Sequence, residues 1–504
     1  MYPSPLLAGF NPDPSIVRVC DDYYLATSTF EYLPGLPIYH SRNLTDWQLI
    51  GHVLKRPAQI DLSNTPTAGG AWAPTLRFHD GLFYLIVTIM FENRTIIYTA
   101  ADPTGPWSDG VVVPVQGIDP DIAWDESGDC YMTWSALDSE SFPAGHNAIM
   151  QVQIDAATGA LLETPRKLWA GSGGMYPEGP HVYKVGDEWV LVTAEGGTDR
   201  GHLVGCAKGP SIKGPFIGAA ENRILTAASS NSSVQNKGHG DLVELTDGSW
   251  AMVFLGVRVR GLTSAFSPLG RETFITPITW VDGWPKGVNI DADDPTDESL
   301  QARVVVFEPG AIDPNLISPR RFPGEIAQVR ADSSLEIAGG GENMGSLTPA
   351  FVGKRIELLI GTISARITLK SGTGGISIRS SEESHFDLTV GSDGAVEVNM
   401  CGVGYTVEAY SSSLPSEILA QLSSDAGLTL WARSFQPPFS FGSKSISPDQ
   451  IALGYTDAQG IPTELAVLDG RGLTFEVADG FTGRVGGAFC VTGSLVLHEL
   501  AEIR

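Results

Sequence analysis

The sequence predicts an all-β protein, a five-bladed β-propeller followed by a β-sandwich, on three observations. First, a short pattern of Pro or Gly, any residue and an aliphatic recurs five times, with Pro14, Pro74, Pro120, Pro180 and Gly240 spaced by 60, 46, 60 and 60 residues. Such spacing is an internal repeat. Second, each copy is followed by a polar turn and an aromatic-rich strand, as in Asp80-Gly81-Leu82-Phe83-Tyr84. Strand, turn and strand make a hairpin. Third, beyond residue 325 apolar and polar residues alternate with period two between turn signals, and a helix is indicated only near 415–422.

Taken in order, the copies are Asp13-Pro14-Ser15-Ile16, Ala73-Pro74-Thr75-Leu76, Asp119-Pro120-Asp121-Ile122, Gly179-Pro180-His181-Val182 and His239-Gly240-Asp241-Leu242. A hairpin in each repeat suits four-stranded blades set radially, with the first strand of every blade lining the axis. Equivalent residues then converge, so Asp13, Asp119 and Glu178 face one funnel. The pattern fades after Trp280-Val281-Asp282-Gly283-Trp284-Pro285, and the acidic run from Asp291 to Glu298 follows. That run lacks the central Gly and ligand spacing of a calcium loop and reads as solvated. A Pro/Gly-rich stretch separates it from the alternating strands, which include Arg355-Ile356-Glu357-Leu358, His385-Phe386-Asp387-Leu388 and Ala395-Val396-Glu397-Val398. The expected division is a propeller over 1–305, a linker over 306–325 and an antiparallel sandwich over 326–504.

Composition narrows the partners. With 58 acidic and 32 basic residues the formal charge is −26, which disfavours nucleic acid, whose phosphates need Lys and Arg. A neutral partner fits better. No run approaches the 18 or more apolar residues of a membrane span. Five isolated cysteines, Cys20, Cys130, Cys206, Cys401 and Cys490, form no metal spacing and read as small buried residues. The first residues carry neither a basic nor an apolar leader region, so the protein is expected to be intracellular or to have lost its signal. Sequons begin at Asn43, Asn93 and Asn231. Nothing in the residues specifies an oligomeric state.

Three carboxylates on inner strands suit glycoside hydrolysis, which needs one carboxylic acid for the leaving oxygen and one carboxylate to activate water or attack carbon. A third, nearby, would keep the acid protonated by like-charge repulsion. Singly, Asp before Pro is also a common turn opener. Glu178 is more telling, because Met175-Tyr176-Pro177-Glu178-Gly179-Pro180 surrounds it with apolar and stiff residues that favour a raised pKa. Asp121 competes with Asp119, since alternation along a strand puts both on one face.

The motifs Asn11-Pro12-Asp13-Pro14, Ser28-Thr29-Phe30-Glu31, Trp72-Ala73-Pro74, Gly117-Ile118-Asp119, Glu178-Gly179-Pro180-His181, Gly238-His239-Gly240-Asp241 and Leu269-Gly270-Arg271-Glu272-Thr273 together resemble glycoside hydrolase family 43. The likeness is to its two-domain β-xylosidase and arabinofuranosidase branch. It implies an inverting exo-glycosidase in which Asp13 is the general base, Glu178 the general acid and Asp119 the carboxylate that orients the acid and raises its pKa. Phe30 and Trp72 would be walls for a pentose ring, and Arg271 a contact to sugar hydroxyls or, more plainly, a salt-bridge partner of Glu272 or another acid. His239, by composition a candidate base, is placed by the resemblance against the sugar or as ligand to a hydrated cation such as calcium near the axis, with no cofactor required. Phe481, in Gly480-Phe481-Thr482-Gly483, matches a second-domain motif that closes the pocket. Tyr32 stands where Trp is common, and the segment 90–94 is short, which affects the leaving-group side.

The expected activity is removal of terminal pentoses from xylo-oligosaccharides or arabinoxylan, as a β-D-xylosidase with α-L-arabinofuranosidase activity. An arabinoxylan-debranching arabinofuranosidase is the second reading. A non-catalytic carbohydrate-binding propeller is the third, since propellers host many functions.

Overall fold

The computed structural model describes residues 2–138, 146–261, 266–292, 303–437, 447–478 and 480–504. The five repeats fold as five antiparallel sheets, each in sequential strand order from an inner strand outward. Those inner strands are Ser15–Val19, Gly70–His79, Ile118–Trp124, Glu178–Val185 and Val234–Glu244. The tight hairpins follow from their turn residues. Asp80 and Gly81 connect His79 to Leu82 with φ of 48° and 81°, and Asp282 and Gly283 connect Val281 to Trp284 with 49° and 77°. Two successive positive φ values are the turn that matches strand twist, and Asp-Gly favours it.

Apolar faces of neighbouring blades meet in a closed ring. Ile86 and Ile97 of blade two pack with Ile122 and Met132 of blade three, and Val192 and Val204 of blade four with Phe254 and Phe274 of blade five. Closure comes where Ile16 and Leu25 of blade one meet Val253 and Ile275 of blade five. The N-terminal segment crosses the same seam, with Leu6 N donating to Thr273 O at 2.8 Å.

The second unit is a β-sandwich built on two 19-residue strands, Gly361–Arg379 and Val485–Ile503, which pair along their length. Three register shifts interrupt that pairing, and such bulges bend a strand. The helix expected near 415–422 is Ser416–Ser423, with Ile418 and Leu422 buried. Arg303–Val305, assigned by sequence to the end of the propeller, pairs with Leu500, Ala501 and Glu502 of the last sandwich strand. Within the stretch read as linker, Ser318–Pro319 pairs with Leu33 and Tyr32 of blade one.

Beyond Ala292 the acidic run lies outside the described residues; Asp291 accepts from Ser233 N at 2.8 Å. Among the described residues no helix is long and apolar enough to cross a membrane. The cysteine expectation holds for Cys130, Cys206 and Cys490 but not for exposed Cys20 or partly exposed Cys401. Cys20 sits in the first hairpin turn, and Cys401 on a polar sheet face, so neither has apolar packing available.

Candidate active site

The repeat works through its backbone. Asp13, Ala73, Asp119, Gly179 and His239, each just before the repeated Pro or Gly, have φ of 53°, 42°, 53°, 54° and 51°. In blades two to five the inner strand also shifts register here, between Trp72 and Thr75, Ile118 and Asp121, Glu178 and His181, and Gly238 and Asp241. A left-handed residue inside a bulge re-aims side chains and is costly for any residue but glycine. Here it turns three blades' polar side chains into one cavity.

The bulge also corrects the expectation that Asp119 and Asp121 share a face. Asp119 lines the cavity. Asp121 lies deeper, fully buried, accepting from Val182 N at 2.9 Å and pairing with Arg77 at 2.9 Å.

The cavity, of about 270 Å³, brings together all eight residues named from sequence: Asp13, Asp119, Glu178, Phe30, Trp72, His239, Arg271 and Phe481. One wall is aromatic. Phe481, from the sandwich, lies nearly parallel to Phe30 with centroids 6.0 Å apart and meets Trp72 edge-on at 5.1 Å. Trp72 is oriented by Nε1 donating to Ala68 O at 2.7 Å. Arg271 joins both units: Nη1 is 3.1 Å from Asp13 Oδ1, Nη2 donates to Phe481 O at 3.1 Å, and the guanidinium lies 5.3 Å from the Phe30 ring centre. Its acid partner is therefore Asp13. Glu272 is taken by Arg258, at 2.7 Å.

The three carboxyls are held differently. Burial pushes Asp13 up, but Arg271, His239 and a 2.6 Å hydrogen bond from Ser28 more than offset this and leave it below the ordinary range. At Glu178 the charge of Arg271 is outweighed. Burial first, then the charges of Asp119 and Asp13, raise it well above the usual carboxyl value. Asp119 is also raised, by burial first and also by Asp13, although Gly179 N donates to it at 3.0 Å. One acid favoured as carboxylate and one favoured as carboxylic acid, in one cavity, is what acid and base chemistry on a single bond needs.

Tyr176, Thr198 and His202 also line the cavity, and of these His202 lies in none of the motifs read from the sequence. His202 is buried and pushed down to about 4, mainly by burial, so it is neutral. Its Nδ1 lies 3.0 Å from Asn236 O and carries the proton, because a carbonyl only accepts. Gly238 was the available signal: a Cβ there would stand 2.2 Å from the His202 ring, so only glycine admits it.

Beneath the cavity the next residues of the repeat form an axial hub. Arg77 of blade two pairs with Asp121 and Asp241, both at 2.9 Å, and Nη2 donates to His181 Nδ1 at 3.0 Å. Ser15 Oγ donates to Asp241 at 2.6 Å, and the Tyr183 hydroxyl also donates to that carboxylate. All five blades are thus tied at the axis, and the positive charge there is a guanidinium. At the hub the axial carboxylates are already paired with Arg77, and among the described residues no group of three His, Cys, Asp or Glu side chains could hold a metal ion.

Paired carboxyls of opposite tendency in an aromatic-walled cavity define a glycoside hydrolase. The family model for glycosyl hydrolases family 43 matches residues 2–285, and the chain belongs to that family. A non-reducing end alpha-L-arabinofuranosidase of Bacteroides ovatus is 35% identical over 415 residues, covering 77% of this chain and 75% of that one. A xylan 1,3-beta-xylosidase of Vibrio sp. is 38% identical over 304 residues, 56% of each chain. The crystal structure of xylan beta-1,4-xylosidase from Bacillus halodurans C-125 superposes with a TM-score of 0.86 at 25% identity, each chain covered in full.

Proposed function

We propose that the protein is an inverting exo-glycosidase releasing terminal pentoses from xylo-oligosaccharides and arabinoxylan fragments, acting as a β-D-xylosidase with α-L-arabinofuranosidase activity. The observation that carries this reading is the opposed state of Asp13 and Glu178 across one small cavity closed by Phe481. Asp13, ionised, takes a proton from water as the water oxygen bonds to the anomeric carbon. Glu178, protonated, gives its proton to the departing glycosidic oxygen, and the configuration inverts. Asp119 maintains the proton on Glu178 through its charge. Arg271 and His239 hold Asp13 and address the sugar hydroxyls, and Phe30, Trp72 and Phe481 pack on its apolar face. The small volume and the wall from the second unit favour a single terminal ring over an internal stretch of polymer.

Names of the relatives support both pentoses, and the α-L-arabinofuranosidase name favours the second reading, debranching of arabinoxylan. Products from xylobiose beside arabinosylated xylo-oligosaccharides separate them. Xylose from xylobiose is expected; arabinose alone, from branched substrate only, would establish the debranching enzyme. Glu178→Gln should lower kcat on xylobiose by about 10²- to 10⁴-fold, the usual contribution of a positioned acid. It should cost much less on an aryl xyloside whose leaving group needs no proton. An unchanged kcat on xylobiose would overturn the assignment, and inactivity of the wild-type chain on every pentoside would leave the carbohydrate-binding reading.

A further inference from the structure

A second cavity, of about 550 Å³, lies in the sandwich and has about twice the volume of the catalytic one. Sites for small molecules fall in this size range. Its floor is a polar sheet face formed by His385–Gly391 and Ala395–Gly402, where Asp387 stands directly across from Asn399 and Thr389 from Glu397. The intervening Phe386, Leu388 and Val398 are fully buried in the sandwich core, as alternation requires. One side of the cavity reaches the seam between the two units. Phe489 lines it and belongs to the same apolar cluster as Phe30, which lines the catalytic cavity, and Glu382 on the wall accepts from Thr67 of the propeller.

Two features of this cavity point to a ligand. Asp387 lines it and is only 8% exposed, yet only one of its oxygens is satisfied. His385 Nδ1 donates to Oδ2 at 2.8 Å, and Oδ1 has no partner. A buried acceptor without a donor is destabilising, and a ligand that brings an O–H group removes that penalty. Tyr405 supplies the second feature, an aromatic face. Its ring folds over Gly402, where a Cβ would stand 2.4 Å from it, and the side chain stays 48% exposed on the cavity wall.

We propose that this cavity is a second carbohydrate site, which binds an uncharged stretch of xylan chain apart from the catalytic cavity. The assignment takes its ligand class from the activity proposed above. Sugar hydroxyls donate to the free oxygen of Asp387 and to Glu397, and the Asn399 amide can both donate to them and accept from them. The apolar face of a ring packs on Tyr405. Twice the volume of a cavity that suits one terminal ring admits more than one. Glu383 and Glu397 repel anions, so a chain branched with glucuronic acid is disfavoured. A metal ion is not the occupant these side chains suit, since among the described residues no group of three acids, histidines or cysteines could hold one.

Calorimetric titration of xylohexaose into the full chain carrying Glu178→Gln, which does not consume the ligand, reads both cavities. Two binding events per chain are expected. Tyr405→Ala or Asn399→Ala in that background should weaken one event about tenfold, the usual effect of one good contact, and leave the other unmoved. Both side chains are partly exposed, so either variant should fold, and an unchanged denaturant midpoint reports it. A single event, or two events indifferent to both substitutions, would overturn the second site while leaving the proposed activity untouched. Conversely, two events in a chain whose wild type hydrolyses no pentoside would overturn that activity and support the second site. Equal affinity of the second site for xylohexaose and for a xylo-oligosaccharide bearing glucuronic acid would overturn the preference for an uncharged chain.

Discussion

Asp13 and Glu178 are nearly the same chemical group held in opposite states by what surrounds them. Asp13 is bonded by Ser28 and Arg271, whereas Glu178 faces burial and two like charges. The consequence is a bell-shaped pH profile whose acid limb reports Asp13 and whose alkaline limb reports Glu178. Since the Asp119 charge raises Glu178, Asp119→Asn should lower the pKa of the acid and move the alkaline limb of kcat/KM to lower pH, with the acid limb moving far less. Rates measured across pH on one pentoside check this, and an unmoved alkaline limb would remove Asp119 from that role. At this scale the sequence was most legible, because the side chains that line the cavity stand in short motifs. His202 and Tyr176 were not legible, since a buried histidine and an exposed tyrosine look alike until the backbone places them.

The bulged inner strand is the element that converts repetition into convergence. Asp13, Asp119 and His239 each take the left-handed conformation that Gly179 takes in blade four. Gly179 has a second constraint: a Cβ there would lie 3.1 Å from the His239 ring. Gly179→Ala should therefore cost about 1–3 kcal/mol in stability, the usual range for strain at such a site. It should also lower kcat by displacing His239 and the neighbouring Glu178, as denaturant melts and steady-state rates would reveal. Periodicity predicted the strands and their hairpins correctly but put Asp121 on the same face as Asp119, which lines the cavity. Alternation with period two is a property of regular strands, and a single extra residue in αL resets it.

For the whole molecule, the axis and the seam between the two units do the holding. Arg77 neutralises Asp121 and Asp241 at the centre of the ring. Arg77→Met would leave buried carboxylates uncompensated and should destabilise the protein by about 3–5 kcal/mol, measured by denaturant unfolding. Burial raises Asp241, but Arg77 and His181 outweigh it and hold it at about 2. Its contribution to stability is present above the unfolded carboxyl value and is lost as pH falls toward 2. The five-blade plan was legible because every blade repeats the same signals. The hub was not, since Arg77 lies outside the repeated tripeptide and owes its position to how the blades close. Across the seam, Phe481→Ala should raise KM for xylobiose by about tenfold, on the order of the 1.4 kcal/mol that one aromatic contact supplies, with a smaller change in kcat.

Phe481 also sets a schedule for biosynthesis. The ring of blades is complete once the strand Trp284–Gly287 has been made, yet the wall that Phe481 adds and the anchor it gives Arg271 exist only after nearly two hundred further residues. Domains emerge and fold from the N-terminus onward. A nascent chain would thus carry its three carboxylates in an unfinished pocket, and hydrolytic competence would arrive late, with the docking of the sandwich.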